Sequence, residues 1–140
     1  MKVTLKGIGD HLTFMAKGDS GHWVPIDADE SLNGFNAGSR PMELVLEALA
    51  GCTAMDVLSI LHKKHMTYDR FAIDIEAERA KEHPKVFTNI HVIYKFWGDN
   101  LLESAIQRAI ELSETKYCSV NAMLRKSAKI TSEYRLNEKE

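Results

Sequence analysis

The sequence predicts an α+β protein on three observations. Strand-like alternation occupies both ends and the middle of the chain. A long apolar run at residues 44–61 reads as one helix, and a second helical repeat covers residues 101–117. The order is strands, long helix, strands, helix pair, strand, which calls for an antiparallel sheet and two long helices that must pack together. One domain spanning 1–140 is expected, and at 140 residues folding removes roughly 70% of the unfolded surface from water, so no metal or disulfide staple is needed.

Val3 and Leu5 alternate with polar neighbours, Gly9-Asp10 supplies a turn, and Leu12, Phe14 and Ala16 alternate again. Gly18-Asp19-Ser20-Gly21 is a second turn, followed by the short run Trp23-Val24-Pro25-Ile26. Together these make a small antiparallel meander. Asp27 to Ser39 gathers Asp, Glu, Ser, Asn and glycines and reads as a loop, long enough to line a site.

A helix starts near Pro41, where proline suits the first turn and Glu43 complements the positive end of the helix dipole. From Leu44 to Leu61 apolar residues fall on nearly every face, the pattern of a central helix buried all round. His62, Lys63, Lys64 and His65 suit its C-terminal end. Phe71, Ile73 and Ile75 then alternate as a strand, His83-Pro84 turns, and Val86, Ile90, Val92 and Tyr94 mark a second strand ending at Trp97-Gly98-Asp99. Leu101, Leu102, Ala105, Ile106, Ala109, Ile110 and Leu112 repeat at helical spacing up to about Tyr117, and a short helix from Ser119 to Lys126 would be capped by Ser119. Ile130, Ser132 and Tyr134 form a closing strand before a polar tail, Leu136 to Glu140.

Charge excludes some functions. The formal net charge is −2 and the pI about 6.3, without the basic stripe that phosphate backbones require, so no nucleic-acid partner is expected. The apolar run is broken by Glu47, Thr53, Asp56 and Ser59, and each charge at mid-bilayer would cost about 2.5–3.5 kcal/mol. No membrane partner is expected either. No secretory signal pattern is visible, so the expected location is the cytoplasm, where two cysteines are free or redox-cycling thiols. His62 and His65 lack a third ligand and are flanked by lysines, Gly7-Ile8-Gly9 precedes a strand, and no Gly-x-Ser-x-Gly elbow occurs. Neither a metal nor a cofactor is expected.

That leaves the thiols. Cys52 sits mid-helix in Ala48-Leu49-Ala50-Gly51-Cys52-Thr53-Ala54, where it is either a small core hydrophobe or a thiol with room around its sulfur. Cys118 falls between two helices just ahead of Ser119, where the unpaired N–H groups of a helix start favour a thiolate; the plain alternative is a buried cysteine in a turn. If folding brings the two together, a sulfenic acid formed on one can condense with the other to a disulfide. Glu47, inside the apolar run, must be paired, solvated or raised in pKa; Arg40 can pair with Glu43 or Glu47 or reach a thiolate.

The segment Ser39-Arg40-Pro41-Met42-Glu43-Leu44-Val45-Leu46-Glu47-Ala48-Leu49-Ala50-Gly51-Cys52-Thr53-Ala54-Met55-Asp56-Val57 resembles the central-helix motif of the OsmC/Ohr family. Tyr117-Cys118-Ser119-Val120 resembles the family's second cysteine motif, and the element order agrees over nearly the whole chain. The resemblance implies an intertwined homodimer with the sheets wrapped around two long central helices and the site at the subunit interface. It also implies a stress-related, thiol-dependent organic hydroperoxide reductase recycled by an external dithiol, with Cys52 peroxidatic and Cys118 resolving. Hydroperoxide reductases of the family hold the thiolate with an arginine from an N-terminal strand, fixed by a glutamate near the helix start. Here residues 1–39 contain no arginine, and Met42 takes the glutamate's place with Glu43 beside it. Glu47, Glu43 and Arg40 are therefore the candidates for tuning Cys52. The alternative is a non-catalytic OsmC-like dimer that binds a small apolar or thiol-reactive ligand in its interface crevice.

Overall fold

The alternation at the N-terminus gives three strands in the computed structural model, which describes residues 1–139. They are β1 (Thr4–Gly7), β2 (Thr13–Lys17) and β3 (Trp23–Asp27), an antiparallel meander in the order β1-β2-β3. This meander lies in the first of two units into which the chain divides, Met1–Glu47 and Ala48–Glu140. The expected loop after β3 contains one 3-10 turn, Glu30–Leu32, and is organised by a carboxylate that no sequence pattern singles out. Asp27 is buried, and it accepts from the Thr13 hydroxyl at 2.7 Å and from the N–H groups of Ala28, Phe35 and Ala37 at 2.8, 3.1 and 2.9 Å. Burial acts to raise its pKa, but these four donors together hold it below the ordinary carboxylate value. A Cβ at Gly34 would come 2.1 Å from the Ala28 carbonyl oxygen, so only glycine lets the loop close on Asp27.

Helix α1 (Pro41–Lys63) begins at the expected proline. Glu43 turns back to accept the Arg40 N–H at 2.7 Å, while the Arg40 carbonyl accepts from Leu44 N–H at 3.0 Å, a capping box that uses a carboxylate without a hydroxyl partner. By length and composition alone α1 could cross a membrane. Its burial corrects the expectation of a helix covered on all sides. Only the stripe Leu49, Thr53, Val57 and Leu61 is fully buried, while Ala48 is exposed and Met55 keeps 72% of its surface. Spacing of four residues puts that stripe on one face; the apolar residues elsewhere on the helix are not buried within one copy.

The second unit carries β4 (Arg70–Arg79), β5 (Phe87–Trp97), α2 (Glu103–Leu112), α3 (Ser119–Leu124) and β6 (Lys129–Leu136). Its sheet has the order β4-β5-β6, and β5 pairs with β6 in parallel, Tyr94 opposite Tyr134. Of the four strand pairings named here, this one departs from the antiparallel expectation. The reason is connectivity: the helices between β5 and β6 return the chain to the starting end of β5, as a parallel crossover must. Ile90, Val92, Tyr94 and Phe96 of β5, Ile106, Ala109 and Ile110 of α2, and Leu49, Val57 and Leu61 of α1 supply most of the buried core.

Two helix ends also differ from the expected ones. The pattern that reads as helix to Tyr117 stops being α-helical at Leu112 and continues as a wider π turn over Ser113–Tyr117, closed by the Cys118 N–H donating to the Ser113 carbonyl at 2.8 Å. The cap of α3 is Cys118 rather than Ser119, its sulfur accepting from the Asn121 N–H at 3.4 Å. Of the polar tail, Glu140 lies outside the described residues.

Candidate active site

The fold brings the two cysteines together within the second unit. Cys52 stands mid-way along α1, half-buried, and Cys118 at the head of α3 keeps only 2% of its surface. Their sulfurs and a carboxylate oxygen of Asp56 all lie within 4.8 Å of one another. Asp56 is four residues on from Cys52, so one helix face presents both. The rotation of the chain through the π turn places Cys118 beside them.

Behind the sulfurs lies a hydroxyl chain. Thr53 Oγ1 is 2.6 Å from Tyr94 Oη and 2.9 Å from Ser113 Oγ, and Ser113 Oγ donates to Asp56 Oδ2 at 3.2 Å. Each hydroxyl has one proton to give. Ser113 spends its proton on Asp56 and must accept from Thr53, so Thr53 in turn accepts from Tyr94. The protons therefore run in one direction, Tyr94 to Thr53 to Ser113 to Asp56. Thr53, Ser113 and Tyr94 are all buried, which makes the chain a rigid support for the face of α1 that carries Cys52.

A position ahead of a helix start favours a thiolate at Cys118, and the tertiary surroundings oppose it. Burial, and then a hydrogen bond that its S–H gives to Cys52, push the Cys118 thiol up to about 12, against the Asn121 N–H that favours the thiolate. One backbone donor at a short helix does not outweigh desolvation. Burial likewise raises the Tyr94 phenol, helped by the nearby carboxylates of Glu114 and Asp56. At neutral pH iodoacetamide is therefore expected to label the partly exposed Cys52 well before Cys118, the Cys118 rate rising as pH climbs from the ordinary thiol value of 9.0 toward 12. Earlier labelling of Cys118, read by peptide mass spectrometry, would contradict this. The folded thiol keeps its proton to higher pH than an unfolded one. Its share of stability is thus intact below pH 9.0 and is lost as pH rises toward 12.

Arg40, Glu43 and Glu47 lie in the first unit. The Arg40 guanidinium donates to the carbonyls of Gly38 at 3.0 Å and Asp27 at 3.3 Å and to the Asn36 side chain, and it lies 3.8 Å from Asp29. Glu43 is engaged by the Arg40 backbone, and Glu47 is exposed to solvent, which answers how a carboxylate is tolerated in that run. His62 meets the Tyr68 hydroxyl at 3.3 Å. Reading by residue type missed Thr53, Ser113 and Tyr94 as site residues. Only Asp56 had a usable signal, its four-residue offset from Cys52.

Residues 34–133 match the family model for OsmC-like proteins, a stretch that includes both cysteines, and the chain belongs to this family. Among its relatives, protein YhfA of Escherichia coli strain K12 is 38% identical over 134 residues, which covers 96% of each chain. A crystal structure described as a hypothetical protein from Aquifex aeolicus VF5 superposes with a TM-score of 0.80 at 32% identity, over 98% of this chain and 97% of that one. The organic hydroperoxide resistance protein OhrB of Bacillus subtilis shares the fold, with a TM-score of 0.63 at 17% identity over 96% of each chain.

Proposed function

We propose that this OsmC-like protein is a stress-related, cysteine-based organic hydroperoxide reductase that acts as a homodimer. The observation that carries the reading is the approach of the Cys52 and Cys118 sulfurs to within 4.8 Å. The Cys52 thiolate attacks the outer peroxide oxygen, the O–O bond breaks, the alcohol leaves with a proton, and Cys52 becomes a sulfenic acid. Cys118 then gives up its proton and attacks that sulfur, water leaves, and a disulfide forms. An external dithiol returns both cysteines to thiols by exchange. The roles follow from burial: the more accessible sulfur meets the peroxide, and the protonated, enclosed one waits for the sulfenic acid. The relatives described as hydroperoxide resistance proteins are consistent with this chemistry.

The homodimer is supported by what α1 leaves uncovered. Its apolar residues outside the buried stripe, Met55 foremost, need a partner surface, and a second copy supplies one of equal character. Light scattering on the full chain should give twice the monomer mass of 15.8 kDa; a monomer at micromolar concentration would exclude this arrangement.

To test the activity, cumene hydroperoxide is added to reduced protein and free thiols are counted with time. Prompt loss of both thiols with a Cys52–Cys118 bridge supports catalysis. Unchanged thiols would leave the second reading, an OsmC-like dimer that binds a small apolar or thiol-reactive ligand. A specific observation favours keeping it: Arg40, the one arginine before Arg70, is engaged by the carbonyls of its own loop.

A further inference from the structure

The surroundings of the two thiols are acidic. Cys52, Cys118 and Asp56 meet within 4.8 Å, and the carboxylates of Glu114 and Asp56 both act on the Tyr94 phenol. Glu114 Oε1 is buried without a hydrogen-bond partner, an arrangement that costs free energy unless something positive or hydrogen-bonding reaches it. Among the described residues no ion pair reaches Asp56 or Glu114. Positive charge stands farther out: Lys63 and Lys64 line a surface pocket of about 330 Å³ together with Asp56 and Tyr117. Two sulfurs and a carboxylate are also the donor types that a thiophilic divalent cation selects.

We propose that Cys52, Asp56 and Cys118 of the reduced protein form a binding site for a thiophilic divalent cation of the zinc class. Around a tetrahedral ion, with metal–sulfur bonds near 2.3 Å and metal–oxygen bonds near 2.0–2.2 Å, ligand atoms stand about 3.5–3.8 Å apart. Three donors already within 4.8 Å reach that spacing by side-chain adjustment. Water completes the shell. Two thiol protons leave to solvent as the ion binds. Two thiolates and one carboxylate around a divalent ion carry a net charge of −1, which the lysines at the pocket complement. Metal and disulfide compete for the same sulfurs. The cation is therefore held only in the reduced state and is released when the thiols oxidise to a disulfide. Sequence reading looked for metal ligands at His62 and His65 because they are neighbours in the chain; this donor set is scattered over 66 positions and exists only once α1 and the head of α3 meet.

The test uses reduced full-length protein without peroxide and with the metal alone. Anaerobic titration with Co²⁺ should give thiolate-to-cobalt charge-transfer absorption saturating at one equivalent per chain, bleached by Zn²⁺. Asp56→Asn, checked for folding by circular dichroism, should bind Zn²⁺ at least about 10–100-fold more weakly, the loss typical of even an outer-shell partner. The disulfide form of the wild-type protein should bind none at the same concentrations. Absence of the thiolate–cobalt band in wild-type protein, or equal Zn²⁺ affinity in Asp56→Asn, overturns the proposal. Because no hydroperoxide is involved, cation binding can succeed where the reductase reading fails, and the reverse.

Discussion

Cys52→Ser is expected to lower hydroperoxide turnover by on the order of 10⁴-fold or more, since it removes the sole nucleophile of the proposed first step. Cys118→Ser should behave differently. The first peroxide equivalent is still reduced, but no neighbouring thiol can condense with the sulfenic acid at Cys52. It remains open to a second and third peroxide, so mass spectrometry should show Cys52 carrying two or three added oxygens while turnover stops after roughly one cycle. The asymmetry between the two variants is the decisive feature. It follows from their settings: Cys52 is partly exposed on α1, while Cys118 is enclosed at the cap of α3 with its thiol pushed up to about 12. Wild-type turnover in both variants would place the nucleophile elsewhere, and the opposite assignment of over-oxidation would exchange the two roles.

Thr53→Val should produce the largest loss of stability from a near-isosteric change. Valine fills the same volume but removes the hydroxyl that sits between Tyr94 and Ser113, 2.6 and 2.9 Å away. Both partners are buried and lose a bond that no water replaces, at about 1–3 kcal/mol for each group left unsatisfied. A drop of this order in the free energy of unfolding by urea, with an unchanged slope, is the expected result. Thr53→Ser keeps the hydroxyl, gives up one buried methyl, and should recover most of the loss. If valine proved neutral, the hydroxyl chain would not be what holds α1 against β5 and the π turn. The valine variant should also slow disulfide formation, because Asp56 and Ser113 then lose their fixed positions beside the sulfurs.

Alternation at residues 3–26 and 71–94 was enough to place the strands, and the uninterrupted apolar run was enough to place α1 to within a few residues, because these periods are properties of the chain itself. The cysteine motifs were legible for the same reason, and with them the family. Which face of α1 is buried was not legible: when every face is apolar, the periodicity that would choose one disappears. The direction of β6 was hidden as well, since alternation marks a strand but not the end at which the chain re-enters the sheet.

The sequence by itself determined the elements, their order and the two sulfurs, because backbone propensity and hydrophobic period act over a few residues at a time. Only the tertiary structure decided that those sulfurs meet, that Cys118 keeps its proton and is enclosed while Cys52 stays partly exposed, and that Asp56, Ser113, Thr53 and Tyr94 form their setting. Distance across a fold and the dielectric around a thiol depend on what packs beside it from remote segments. A local rule, such as the pull of a helix start on Cys118, is overturned once burial costs more than one backbone N–H returns.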